Sequence, residues 1–358
     1  MDFINNILVI GNGFDLAHKL PTTYGDFLKF VQNFQEYQKG NMSQDNTFYT
    51  YFKKLQEEKI EIFNEINALV SNNFWFIHFI SIFEERCSEG KTGWIDFESE
   101  ISTVIQHFDG ERLRLKNKSS TSKPITNIKQ LSNALFESNF SPDNYKKFKC
   151  KLYEDLNRLT RCLEIYLSNY IKTDSCQKLD IIKNLQIDGV ISFNYTNTFE
   201  VVYGKIFPDV KYDYIHGKAK IDGNIDNCNL VLGIDEYLQG EQRDKDNEFI
   251  QFKKFFQRIY KGTGSRYIDW LDDLNLLDYI DNKRGLNIYV YGHSLDVTDA
   301  DIFRRIILTK GAKTHIFYHN QTALSNQIAN LVKIIGEEKL IQFTYESKRK
   351  IEFVSVYQ

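Results

Sequence analysis

The chain has 358 residues, enough for one large or two modest domains, and its 42% hydrophobic and 26% charged residues are the balance of a soluble globular protein. A net charge of −3 excludes a global field that would draw it to nucleic acid or to an anionic membrane. The five cysteines (Cys87, Cys150, Cys162, Cys176, Cys228) form no C-x-x-C pair, so neither a zinc site nor a disulfide framework is expected, and no metal.

The first element is a strand. Ile7, Leu8, Val9 and Ile10 are four apolar residues in a row, the mark of a strand buried on both faces. Gly11-Asn12-Gly13 follows at once. A strand, a glycine turn and a helix together bring backbone amides toward a phosphate. The full dinucleotide fingerprint has a third glycine three positions on, where Leu16 stands, and a plain strand-to-helix turn is the other reading.

From about residue 20 to 185 the pattern is helical almost throughout. Phe27, Leu28, Val31 and Phe34 recur at helical spacing, then Phe52, Leu55, Phe63, Ile66, Leu69 and Val70. The longest apolar run, Phe74 to Phe83, holds His78 and Ser81 and is about half of the ~20 residues a membrane span needs. Trp94-Ile95-Asp96-Phe97-Glu98 leads into another helix, Arg112 to Lys118 is a basic run and Ser119 to Pro124 a loop. Helices are expected at 127–138 and 142–172.

Strands then return: Gly189 to Asn194, Lys211 to His216, Leu230 to Gly233, Leu286 to Tyr291 and Thr314 to Tyr318. Helices fall between them, at Asn197–Gly204, 244–261, 266–282, Thr298–Leu308 and Ala323–Ile335. The tail reads as a hairpin, Gln342–Tyr345 with Ile351–Val356, turning at Ser347-Lys348-Arg349-Lys350. Alternation of this kind predicts an α/β fold with a Rossmann-like parallel sheet. The expected organisation is a core of 1–20 plus 186–358 and an α-helical insertion of 21–185. The N-terminal apolar segment is too short, and lacks the charged lead-in, for a signal peptide. A cytoplasmic protein with reduced thiols is expected.

Ligands of open parallel sheets bind beyond the carboxyl ends of the strands. Four such ends carry polar punctuation: Gly11-Asn12-Gly13-Phe14-Asp15, Ser192-Phe193-Asn194-Tyr195-Thr196, Ile215-His216-Gly217 and Gly292-His293-Ser294-Leu295. Singly each has a plain reading. Asn194 is a turn former or cap, His216 a strand-end turn residue, Ser294 a cap. Their shared edge is what points to a site.

The order G-x-G, N-Y, H-G and G-x-S-L resembles the sirtuin-like NAD-binding domains. More closely, Gly11-Asn12-Gly13-Phe14-Asp15, the Trp94-to-Glu98 element, Ser192-Phe193-Asn194-Tyr195-Thr196-Asn197, Ile215-His216-Gly217 and Gly292-His293-Ser294-Leu295-Asp296 resemble the AbiH family of bacterial abortive-infection proteins, over nearly the whole chain. The sirtuin likeness implies that Gly11 and Gly13 hold a pyrophosphate and that Asn194, beside Tyr195, orients the nicotinamide ribose. It makes His216 the base and Gly292, Ser294 and Leu295 the lining of the adenosine side, with His293 also among the cofactor-binding residues. Two positions depart from that pattern: Asp15 stands where a serine or threonine is usual, and Thr196 where an aspartate is usual. The four-cysteine zinc module of sirtuin deacylases is missing, which argues against a protein deacylase.

The resemblance thus implies an anti-phage protein that binds NAD and hydrolyses it to nicotinamide and ADP-ribose. That reaction needs a held ribose, a placed water and a weak base, and a histidine with an ordinary pKa near 6.5 suits the last role. Two alternatives stand beside it. One is a non-catalytic sensor that binds a nucleotide while its helical insertion contacts a phage component or a second protomer. The other is a serine hydrolase, in which Val290-Tyr291-Gly292-His293-Ser294-Leu295-Asp296 acts as a nucleophile elbow, with His216-Gly217 upstream, Asp299 or Asp301 as the acid and His315 or His319 as the base.

Overall fold

A computed structural model describes residues 4–90, 95–116, 128, 130–131, 141–235, 247–272, 285–345 and 349–357. Trp94, the loop at 119–124, most of the expected 127–138 helix and Ser347-Lys348 of the expected tail turn lie outside these residues. The chain divides into two compact units. One comprises Met1–Thr22, Ile171–Ala219 and Lys261–Gln358, the other Thr23–Tyr170 and Lys220–Tyr260.

The first unit is an all-parallel six-stranded sheet. Its strands are β1 (Asn6–Ile10), β2 (Gly189–Ser192), β3 (Lys211–Tyr214), β4 (Leu286–Tyr291), β5 (Ala312–Tyr318) and β6 (Ile351–Ser355), in the order β3-β2-β1-β4-β5-β6. That is Rossmann order, and the order reverses between β1 and β4. Because side chains alternate across a strand, β1 divides its apolar run between two cores. Ile7 and Val9 join Ile191, Ile288, Val290 and the helix residues Phe303, Ile306 and Leu331 on one face. Leu8 and Ile10 join Phe14, Val190, Phe199, Tyr203 and Tyr291 on the other. All four are at most 2% exposed, as a strand covered on both faces requires.

The tail corrects one expectation. Gln342 to Thr344 close the Glu337–Thr344 helix, and Ile351–Ser355 lies parallel to β5, with Thr314 paired to Ile351. There is no hairpin, because the open edge of β5 takes the last strand in parallel.

The second unit is helical. Its elements are Tyr24–Gln38, Thr47–Glu58, Ile60–Val70, Phe74–Ser88, Phe97–Lys116 and Pro142–Ile165, the last running on as a π turn at Tyr166–Tyr170. Helix starts follow local chemistry: Thr23 and Asp26 form a reciprocal capping box, and Asn46, Asn73 and Ser141 accept from backbone amides in the first turn. Phe27, Phe30 and Phe34 then share one face and meet Tyr166, Phe52 and Phe63 at 5.1–5.6 Å between ring centroids. Among the described residues no single helix is long and apolar enough to cross a membrane.

Leu230 to Gly233, expected as a strand, is not one. The Gln257 side chain accepts from the Leu232 amide (3.1 Å) and donates to the Leu232 carbonyl (3.0 Å). A carboxamide thus supplies the two bonds that a neighbouring strand would make.

Candidate functional site at the carboxyl edge of the sheet

The strand ends meet where the strand order reverses. Gly11 caps the six-residue helix Asn12–Ala17 in extended conformation. Its amide donates to the Tyr291 carbonyl (3.2 Å), and the Gly13 amide donates to the Gly292 carbonyl (2.8 Å). The two turns are jammed together. A Cβ on Gly13 would lie 2.8 Å from Gly292, and one on Gly292, whose φ is +67°, would lie 2.2 Å from the Phe14 nitrogen. These glycines permit close backbone approach. Leu16, where a third glycine would stand, is 45% exposed, so a side chain is accommodated there. Asn12 faces outward and accepts from Thr22 at 2.8 Å. Phe14 is fully buried against Phe199, Tyr203 and Tyr291.

Asp15 points inward instead, and is 1% exposed. The Thr196 hydroxyl donates to its Oδ2 at 2.6 Å, and the Thr198 hydroxyl donates to Thr196 at 3.0 Å. Burial pushes the Asp15 carboxyl up to about 6, opposed by Thr196, Thr198 and the Asn194 amide, which favour the charged form. Asn194 is 5% exposed; its backbone amide donates to the Ser192 hydroxyl at 3.2 Å. Asp15 Oδ1 and Asn194 Nδ2 are buried without a completed hydrogen bond. Tyr195 is half-buried, and its carbonyl accepts from the Ala219 amide.

Next to β2, the end of β3 places His216 before Gly217, whose φ is +81°. His216 Nε2 lies 3.1 Å from Asp299 Oδ1, and His293 Nε2 lies 3.7 Å from Asp299 Oδ2. All three are buried. His293 packs between Phe193 (4.4 Å) and Phe303 (4.6 Å), and its Nδ1 accepts from the Leu295 amide at 2.9 Å. In its neutral form the proton is therefore on Nε2, facing the carboxylate. That bond supports Leu295 at a φ of +58°, a left-handed conformation that costs roughly 1–2 kcal/mol.

Of the residues expected at the site, the structure gathers Asp15, Asn194, Tyr195, His216 and His293 at adjoining strand ends. Leu295 instead sits in the apolar core with no exposed surface, and Ser294 has an exposed side chain. Asp299 is the residue whose pairing the sequence left undecided. It closes a short 3-10 turn, Val297–Asp299, before the Ala300–Leu308 helix. Its position at a helix start beyond the switch strand was the available signal. His315, one of the two histidines offered as a triad base, pairs with Glu352 of β6 at 3.3 Å. Among the described residues no group of three or more His, Cys, Asp or Glu side chains is placed to hold a metal ion.

Fold and site together define a Rossmann-ordered α/β protein with a buried polar cluster at its switch point. Residues 7–319 match the family model described as bacteriophage abortive infection AbiH. The chain belongs to the AbiH family, and with it to phage abortive-infection defence. No curated protein matches the chain.

Proposed function

We propose that this defence protein binds NAD at the carboxyl edge of the sheet and cleaves the bond between nicotinamide and ribose, with infection as the trigger. The observation that carries the reading is the buried Asp299–His216 pair, 3.1 Å apart at the end of β3, beside Asn194 at the end of β2. The sirtuin-like order of the strand-end motifs supports NAD as the substrate.

The chemistry is balanced with few groups. The C1′–N1 bond breaks and its electron pair leaves with neutral nicotinamide, so no acid is required. Water adds to C1′ of the oxocarbenium-like ribose, and His216 takes its proton. Nε2–H of His216 donates to Asp299, which leaves Nδ1 as the basic nitrogen and stabilises the imidazolium that forms. A base held this way contributes about 10²–10⁴-fold. Asn194 holds the ribose. The test is NAD turnover by purified protein with phage lysate as trigger. Hydrolysis to nicotinamide and ADP-ribose, reduced at least about 10²-fold in His216→Ala and Asn194→Ala, is expected; NAD left intact by the triggered protein overturns the reading.

A second reading is favoured by the burial of Asn194 and His216, each 5% exposed: a nucleotide kept unaltered as a regulatory ligand, with the helical unit contacting a phage component or a second protomer. Mass spectrometry of small molecules released on denaturation separates the two. Intact NAD supports the sensor, ADP-ribose the enzyme.

A further inference from the structure

Asp15 and Asn194 carry two buried polar atoms of complementary character. Asp15 Oδ2 is taken by Thr196. Asp15 Oδ1 and Asn194 Nδ2 fall short of a well-formed hydrogen bond, yet one is an acceptor and the other a donor. The Asn194 side chain is near enough to favour the ionised carboxylate, as are Thr196 and Thr198. Buried polar atoms left unpaired cost roughly 1–3 kcal/mol each, a cost that is relieved when this donor and this acceptor face each other.

An ionised carboxylate only accepts hydrogen bonds, whereas a carboxamide has one donor edge and one acceptor edge. The charge on Asp15 therefore chooses between the two orientations of the Asn194 amide. With Nδ2 toward Asp15 the interaction is attractive. With Oδ1 toward Asp15 two acceptors face each other in a low dielectric, and the orientation is rejected.

We propose that Asp15 is a positioning residue: it holds the Asn194 carboxamide with its NH₂ edge inward, so that the site presents a carbonyl acceptor and selects a ligand hydroxyl, as on a ribose, rather than a phosphate. This rests on the reading of Asn194 as a ligand contact. The neighbouring backbone agrees with it. The amides of Gly11 and Gly13 already donate to the carbonyls of Tyr291 and Gly292, so neither is held ready for a phosphate oxygen. A phosphate would also face the buried carboxylate. The turn that suggests a phosphate cradle in the sequence instead packs two strand ends together and delivers Asp15 beneath Asn194.

The titratable groups around Asp15 leave its charge uncompensated. Burial raises the Cys176 thiol and the Tyr214 phenol, and the Asp15 charge adds to both shifts, so each is neutral at pH 7. His18, at the end of the same short helix, is lowered by burial; its Nδ1–H donates to the Phe14 carbonyl at 2.7 Å and its Nε2 accepts from the Tyr203 hydroxyl at 2.9 Å. Protonation of Asp15, near pH 6, would free the amide to turn.

The test uses full-length protein labelled with ¹⁵N on asparagine, with the Asn194 side-chain NH₂ pair assigned by its loss in Asn194→Ala. The pair is expected to shift as pH passes through about 6, and that shift is expected to vanish in Asp15→Asn. In parallel, NAD binding is expected to weaken at least tenfold in Asp15→Asn, whose melting temperature does not fall. An Asn194 pair that ignores pH between 4.5 and 8, or Asp15→Asn that binds NAD as tightly as the parent chain, overturns the proposal. The resonance arm needs no ligand. If the parent chain binds no NAD, the NAD reading fails while the resonance still decides the role of Asp15.

Discussion

The Thr196 hydroxyl donates to Asp15 Oδ2 at 2.6 Å, from just beyond β2 to the short helix that follows β1. These are the two positions at which the sequence departs from the sirtuin-like pattern. The structure shows that the departures are partners.

Asp15 makes stability depend on pH. Its pKa rises from 3.8 to about 6 in the folded chain, so between these values the folded state binds more protons than the unfolded state. The stability this contributes is full below pH 3.8 and is lost as pH rises through about 6. The loss is about 3 kcal/mol. Asp15→Asn removes it. Thermal melts are expected to show the variant several degrees above the parent chain at pH 7.5 and level with it near pH 4; equal melting temperatures at pH 7.5 would refute this. A site residue that lowers stability at working pH is a common mark of function.

Asp299→Asn leaves volume unchanged but removes the charge that faces His216 and His293. The expected result is a fall of about 10²–10⁴-fold in NAD cleavage, with a melting temperature close to that of the parent chain.

Gly292→Ala tests the packing of the two turns. The added Cβ meets the Phe14 nitrogen at 2.2 Å, and the φ of +67° is left-handed. A loss of at least about 2 kcal/mol is expected in urea unfolding. Gly285→Ala is the control. A Cβ there meets nothing within 4 Å, and its unfolding midpoint should hardly move.

Gln257→Leu, in the helical unit, removes both bonds to Leu232 and the bond its Nε2 donates to the Gln251 carbonyl. Buried backbone groups left without partners cost about 1–3 kcal/mol each, so the two Leu232 groups alone predict a loss of about 2–6 kcal/mol in the same measurement. A midpoint within error of the parent chain would show that the loop finds other partners.

Much of the sheet was legible because burial on both faces writes an uninterrupted apolar run, as in Ile7 to Ile10. Leu230 to Gly233 writes the same run and is a loop, because the partner that satisfies its backbone is a side chain 25 residues along, which no local pattern records. Ile351 to Ser355 was legible as a strand but not in its pairing, since register and direction depend on which edge is open. At the site, the residue types at the strand ends could be read, and so could the edge they share. That Asp299 serves two histidines could not, because the three lie on separate segments. Nor could the engagement of the Gly11 and Gly13 amides, which is a property of the turn after β4.

The order of the strands also bears on how the protein is made. β1 is synthesised early, yet its neighbours are β2 and β4, whose registered partners lie about 180 and 280 residues further along, as with Ile7, Gly189 and Ile288. The central strand must wait on the ribosome, at roughly 5–20 residues per second, for both flanks to emerge. Contacts this distant in sequence are slow to close. Since Asp15, Asn194, His216 and Asp299 hang from β1, β2, β3 and the segment after β4, the cluster comes into existence only late in translation. A chain interrupted before residue 299 carries the helical unit but not the Asp299–His216 pair.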